Sequence, residues 1–215
     1  MKKILSMVLA ILLAFGALNV FANDTEKYIA ELNKYEIVKG DPDGNMRLSD
    51  NLTRAEAVTL MVRLYGFAPE TSAAAPANTF SDMEEHWACN AAMLAKGLKI
   101  VDTIDGEAFN PDEEITAQEF LKMVVCLLGY REEAENKAPD YIGYILQASQ
   151  SGITKDVPLI TDKPITREQA VKIIINSLDV PLMVQTSYGK DNKYTIMDGK
   201  DGNEYRTLRT MLEAE

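Results

Sequence analysis

The stretch NLTRAEAVTLMVRLYGF (51–67) aligns without gaps with EITAQEFLKMVVCLLGY (114–130) and with PITREQAVKIIINSLDV (164–180). Each copy has an aliphatic residue, then Thr, two variable positions, Glu or Gln, and an apolar run at helical spacing. Thr53, Thr116 and Thr166 stand 63 and 50 residues apart, about the length of one helix pair. Upstream, IVKGDPDGNMRLSDNLTR (37–54) matches IVDTIDGEAFNPDEEITA (100–117) position for position, and GITKDVPLITDKPITR (152–167) is a shortened version. A shorter amphipathic helix is expected before each loop, over 25–36, 87–99 and 141–152. A single helix pair cannot bury its apolar face, whereas three stacked copies can share one core.

The chain therefore reads as mainly α, with three helix-loop-helix repeats. Repeat 1 runs over 23–67. A linker and repeat 2 occupy 68–130, and a linker and repeat 3 occupy 131–180, the linkers themselves being 68–79 and 131–140. Residues 181–215 form a β-rich tail. Its turn signals, GKDN and DGKDGN, separate short alternating runs such as YTIM and EYRTL, which read as one or two β-hairpins. A hairpin of this size is marginal alone, so it packs on the helices or begins a larger domain.

Residues 1–22 do not read as fold. MKK is basic, ILSMVLAILLAFGAL is apolar, and VFA ends at Ala22 with small residues at the cleavage positions, which is the pattern of a secretory signal peptide. No stop-transfer charges follow, so no membrane span is expected once the leader is removed. The full chain carries a net charge of −11, which becomes −13 without Lys2 and Lys3. An exported acidic protein is a poor partner for nucleic acid or for an anionic membrane. The two cysteines, Cys89 and Cys126, lie in apolar helical runs and read as buried thiols rather than a disulfide framework.

The repeated motif has chemistry of its own. Thr at the N-cap with Glu or Gln three residues later is a capping box, worth about 1 kcal/mol per helix. Thr53, Thr116 and Thr166 need no further explanation. Arg54 and Arg167 do, because a cation at the first helical position faces the positive end of the helix dipole. Physics leaves two readings equally open. One is an anion pocket made of the guanidinium and free helix amides. The other is a bridge to a carboxylate of a neighbouring repeat.

Asp41, Asp43 and Asn45 have the first spacings of a calcium loop, but the glycine comes too early and Leu52 stands where a bidentate Glu is required. PDGN reads as a turn without metal. His86 is the only histidine, which leaves neither a metal set nor a catalytic triad. No enzyme and no cofactor are expected. Trp87 reads either as a packing anchor or as a platform for a sugar.

FSDMEEHWA (80–88), IVKGDPDGNMRLSDNLTRAE (37–56) and IDGEAFNPDEEIT (104–116) together resemble the S-layer homology domain, over about residues 25–180. The resemblance implies a pseudo-threefold bundle with one helix of each repeat at its centre and grooves between lobes. It implies an exported module that attaches to a secondary cell-wall polysaccharide at the cell surface, a polymer commonly carrying pyruvylated amino sugars. Arg54, Arg167, Trp87, Asp82 and Gly40 would then be carbohydrate-binding residues, with Arg54 completed across the repeat boundary by Asp82 and Trp87. The chain departs from the family pattern in each copy. Repeat 1 lacks the Phe-x-Asp and His-Trp head. In repeat 2, Ala117 replaces the arginine, and Lys99 and Thr103 replace loop glycines. Repeat 3 has no tryptophan. One or two competent grooves are expected rather than three. The alternative is a structural module whose repeats have lost binding and which self-associates.

Overall fold

The computed structural model describes residues 24–214 except 42, 71–76, 103–105 and 188–191. The expected signal peptide lies outside the described residues. Among the described residues, eight helices and one hairpin follow in order: α1 over 24–34, α2 Arg54–Leu64, α3 Cys89–Gly97, α4 Ala117–Leu127, α5 Arg131–Lys137, α6 Asp140–Gln150, α7 Arg167–Ser177, β1 Met183–Ser187, β2 Lys193–Ile196 and α8 Leu208–Leu212. The protein is mainly α, with a two-stranded antiparallel sheet near its C-terminus.

The three motif helices α2, α4 and α7 meet at their N-termini in a closed ring. Leu52 N–H donates to Ile165 O (2.9 Å), Ile165 N–H to Ile115 O (3.0 Å) and Ile115 N–H to Leu52 O (2.9 Å). All three side chains have no exposed surface, so the aliphatic residue before each threonine forms the hub of the core. The ring extends to the next two amides of each helix. Arg54 and Ala55 N–H donate to Glu113 and Pro111 O of the second loop. Ala117 and Gln118 donate to Lys163 and Thr161 O of the third, and Arg167 and Glu168 to Asp50 and Leu48 O of the first. The capping boxes satisfy the remaining amides: Thr53, Thr116 and Thr166 accept from Glu56, Glu119 and Gln169 N–H, and those side chains accept from the cap amides. Every early helix amide thus has a protein partner, which is the condition for burying a helix end.

The outer helices α1, α3 and α6 end alike. Ile37, Ile100 and Ile153 N–H reach back to Leu32, Ala95 and Ala148 O at 2.8–3.0 Å. The residue before each isoleucine is left-handed: Glu36 at φ 55°, Lys99 at 57° and Gly152 at 77°. Only repeat 3 has the glycine that this conformation prefers, so repeats 1 and 2 hold it at some steric cost in exchange for the same helix stop.

Two expectations are corrected. Residues 131–140, read as a linker, contain α5. Arg131–Lys137 is built of good helix formers, and α6 lies so close that a Cβ on Gly143 would sit 2.0 Å from Ala134 O. In the tail, where one or two hairpins were expected, one is present among the described residues, with 183–187 pairing with 193–196. EYRTL contributes a single bridge, Asp198 to Tyr205, and then Thr207 caps α8 through a fourth box with Thr210. The alternating pattern there is overridden by the cap and by Leu208, which is fully buried. The cysteines are free. Burial in α4 pushes the Cys126 thiol up to about 11.

Candidate functional site: grooves between repeats

The ring places the first residue of one motif helix beside the third residue of the next. Arg167 therefore meets Glu56, and Arg54 meets Glu119 (Nη1–Oε1 2.9 Å and Nη2–Oε1 3.0 Å). Ala117 and Gln169 are the first and third helix residues at the equivalent third junction. Where the arginine is missing, its partner is uncharged, which avoids a half-buried carboxylate without a counter-ion. Gln169 turns its amide to Pro158 O at 2.7 Å instead.

The two arginines differ in how much of their fork is used. Arg167 is 14% exposed and also donates from Nε to Met46 O (2.9 Å) and from Nη2 to Lys39 O (3.3 Å), tying α7 to the first loop. Arg54 is 22% exposed, and its Nε is buried with no partner among the described residues. The helix amides beside both arginines are consumed by the ring. Of the two readings left open for these arginines, the pocket has no free helix amides to draw on, and a ligand there would be met by side chains.

Arg167 lines a groove of about 190 Å³ with Gly40, Trp87, Lys39, Arg47 and Arg63, while Asp41 and Glu56 are its acids. Four cations and two carboxylates line it, and each cation already has an acid within ion-pair distance: Arg167 has Glu56, Arg47 has Asp50, Arg63 has Glu70, and Lys39 has Glu36 and Glu70. Trp87 is 64% exposed, which decides against a packing anchor and leaves an open indole face at the groove. Gly40 is required by close approach, since a Cβ there would sit 2.9–3.1 Å from the backbone of Gly44 and Asn45. Asp41 spends its carboxylate on its own turn, accepting from Asp43 and Asn45 N–H at 3.0 and 2.8 Å. The Asn45 amide is the main cause of its depressed pKa. Among the described residues, no three His, Cys, Asp or Glu side chains are grouped to hold a metal ion.

Arg54 lines a corresponding groove of about 250 Å³, where Lys122 is the other cation and Asp102, Glu107 and Glu119 are acids. Tyr141, from the start of α6, stands on this side. The balance is reversed, and Lys122 is already paired to Asp102 at 2.7 Å. Trp87 thus lies with Arg167 rather than with Arg54. Asp82 lines neither groove. Its carboxylate accepts from Phe109 and Asn110 N–H at 2.8 Å each, fixing the loop below Arg54. Burial pushes its pKa up, but those amides hold it below the usual range. Lys39, Arg47 and Arg63 carry most of the groove's charge and were missed in the sequence reading. Arg63 stands in the last turn of α2, where a basic residue is ordinary, and Arg47 stands in the turn-rich first loop, so neither carries a signal of its own.

The S-layer homology domain model matches residues 22–58 and 79–121. The chain is 29% identical over 174 residues to the middle cell wall protein of Brevibacillus brevis, covering 80% of this chain and 16% of that protein. It is 28% identical over 214 residues to the surface layer protein of Brevibacillus choshinensis, covering 92% and 19%. Over 158 residues it is 30% identical to the cellulosome-anchoring protein of Acetivibrio thermocellus, covering 66% and 35%. The chain thus spans less than a fifth of the length of the two Brevibacillus proteins.

Proposed function

We propose that this chain, which the S-layer homology domain model matches over residues 22–58 and 79–121, is a cell-surface anchoring module, and that it anchors by binding an anionic wall polysaccharide in the groove where Arg167 of repeat 3 and Trp87 of repeat 2 meet repeat 1. The observation that carries the reading is the open Trp87 face beside Lys39, Arg47, Arg63 and Arg167. An indole stacks on the apolar face of a sugar ring. The cations meet a carboxylate, such as the ketal of a pyruvylated unit, by charge-assisted hydrogen bonds. Recognition is local, so the acidic net charge does not oppose it. No catalytic step is part of the proposal.

Co-sedimentation with purified wall sacculi, before and after the polysaccharide is stripped, tests it. The mature chain should pellet with intact walls and not with stripped ones; equal pelleting with both overturns the reading. Trp87→Ala should weaken retention at least about tenfold, or 1.4 kcal/mol, without shifting the unfolding midpoint.

A second reading is a structural module with silent grooves. It is favoured by the Arg–Glu pairs at both occupied boundaries, which give the arginines a role without any ligand. It predicts no sugar-dependent retention, and self-association visible by light scattering.

A further inference from the structure

Lys39 and Arg63 also line a second cavity of about 290 Å³, between the ends of α1 and α2 and the C-terminal helix α8. Its walls are Tyr35, Phe67 and Leu212, with Lys34 at the mouth. Lys34 Nζ stands 5.0 Å over the Tyr35 ring, and Phe67 stacks on Tyr65 at 6.0 Å and 14°. The tail wall is fastened by the Tyr35 hydroxyl, which donates to Glu213 at 3.0 Å. Glu70 holds the two shared cations, paired with Arg63 and 4.0 Å from Lys39. At about 290 Å³ the cavity is close to the roughly 300 Å³ lower bound of a small-molecule site.

Resting on the polysaccharide reading above, we propose that this cavity is a second saccharide subsite. It takes the next unit of the polymer whose first unit lies on Trp87. Tyr35 and Phe67 supply flat apolar faces, and Lys34, Lys39 and Arg63 supply donors to the sugar's oxygens or acidic groups, with Glu70 displaced from the shared cations. The ligand is then read as a stretch of chain rather than as a single terminal sugar. The C-terminal tail contributes a wall to the site instead of being a passive extension.

The test uses polysaccharide released from purified walls and separated into short and long fragments, titrated calorimetrically into the mature chain. Long fragments should bind more tightly than short ones. Lys34→Glu should remove that preference by weakening long-fragment binding about fivefold, a surface-charge effect, while leaving short-fragment binding unchanged. Phe67→Ala should do the same. Lys27→Glu, the same charge change on an exposed position of α1 outside the cavity, should alter neither. Equal affinity for both fragment sizes in the unaltered chain, or equal loss for both in Lys34→Glu, overturns the second subsite while leaving the Trp87 groove in place. Failure to bind either fragment sinks the polysaccharide reading and this subsite with it.

Discussion

Arg54 and Arg167 occupy the same helical position, yet they stand in different surroundings. Arg167 makes three hydrogen bonds to Glu56, Met46 and Lys39, so its removal strands a carboxylate and two carbonyls. Arg167→Ala is expected to cost about 2–3 kcal/mol, in the range for breaking a largely buried ion pair. Arg54 is paired with Glu119, and its Nε has no partner among the described residues, so Arg54→Ala should cost about 1 kcal/mol. Urea denaturation of the two variants checks the order, and a larger loss for Arg54 contradicts it. The sequence raised the right question about these residues and left both answers standing. It could not choose because the partner of each arginine lies more than 60 residues away.

At the scale of elements, the helix N-terminus is the unit of assembly. Each motif helix gives its first two amides to the loop of the next repeat, so three weak units close on one another. The third junction shows the logic by omission, since Ala117 and Gln169 replace the Arg and Glu together. Gln169→Glu alone should destabilise, because it loses the donor to Pro158 O and adds an unpaired carboxylate. Adding Ala117→Arg should recover about 0.5–1 kcal/mol of coupling, as for a partly exposed ion pair. A double-mutant cycle by chemical denaturation measures this, and zero coupling would show that the third junction differs in geometry as well as charge. The capping boxes were legible from four-residue spacing alone. The loop-to-helix bonds were not, because backbone acceptors leave no mark in side-chain chemistry.

For the whole molecule, two consequences follow from the carboxylates and the tail. Burial pushes the Glu119 carboxyl up, but the Thr116 hydroxyl and amide and the Arg54 guanidinium outweigh it and leave it below its ordinary value of 4.5. Asp102 is depressed likewise, where the hydrogen bonds of Arg131 and Lys122 overcome burial. A carboxyl lowered in the folded state stabilises fully above its unfolded value, and that stability is lost as pH falls through the folded one. Stability should thus decline below about pH 4.5, and Glu119→Gln should flatten that acid limb in thermal melts recorded against pH. The tail is clamped by Arg209, whose fork takes both Asp179 oxygens at 2.7 and 2.9 Å and also pairs with Glu31 of α1. Arg209→Ala should raise amide exchange in α8 and α1 while leaving α4 protected. Uniform deprotection would mean that the tail is part of one cooperative core.

The repeat spacing, the apolar period and the threonine boxes by themselves determined a three-unit helical protein, because they are local patterns that short-range sterics and burial enforce. The family resemblance singled out Trp87, Arg167 and Gly40, and the fold brings these three to one groove. What only the tertiary structure decided is which repeat faces which. The ring sets Arg167 rather than Arg54 beside Trp87, exposes that indole, turns Asp82 away to brace a loop, and gathers Lys39, Arg47 and Arg63 into a basic groove on an acidic chain. Those placements depend on the order and hand in which three similar units close. That choice is made by backbone bonds between distant loops and helix ends, and no single segment encodes it.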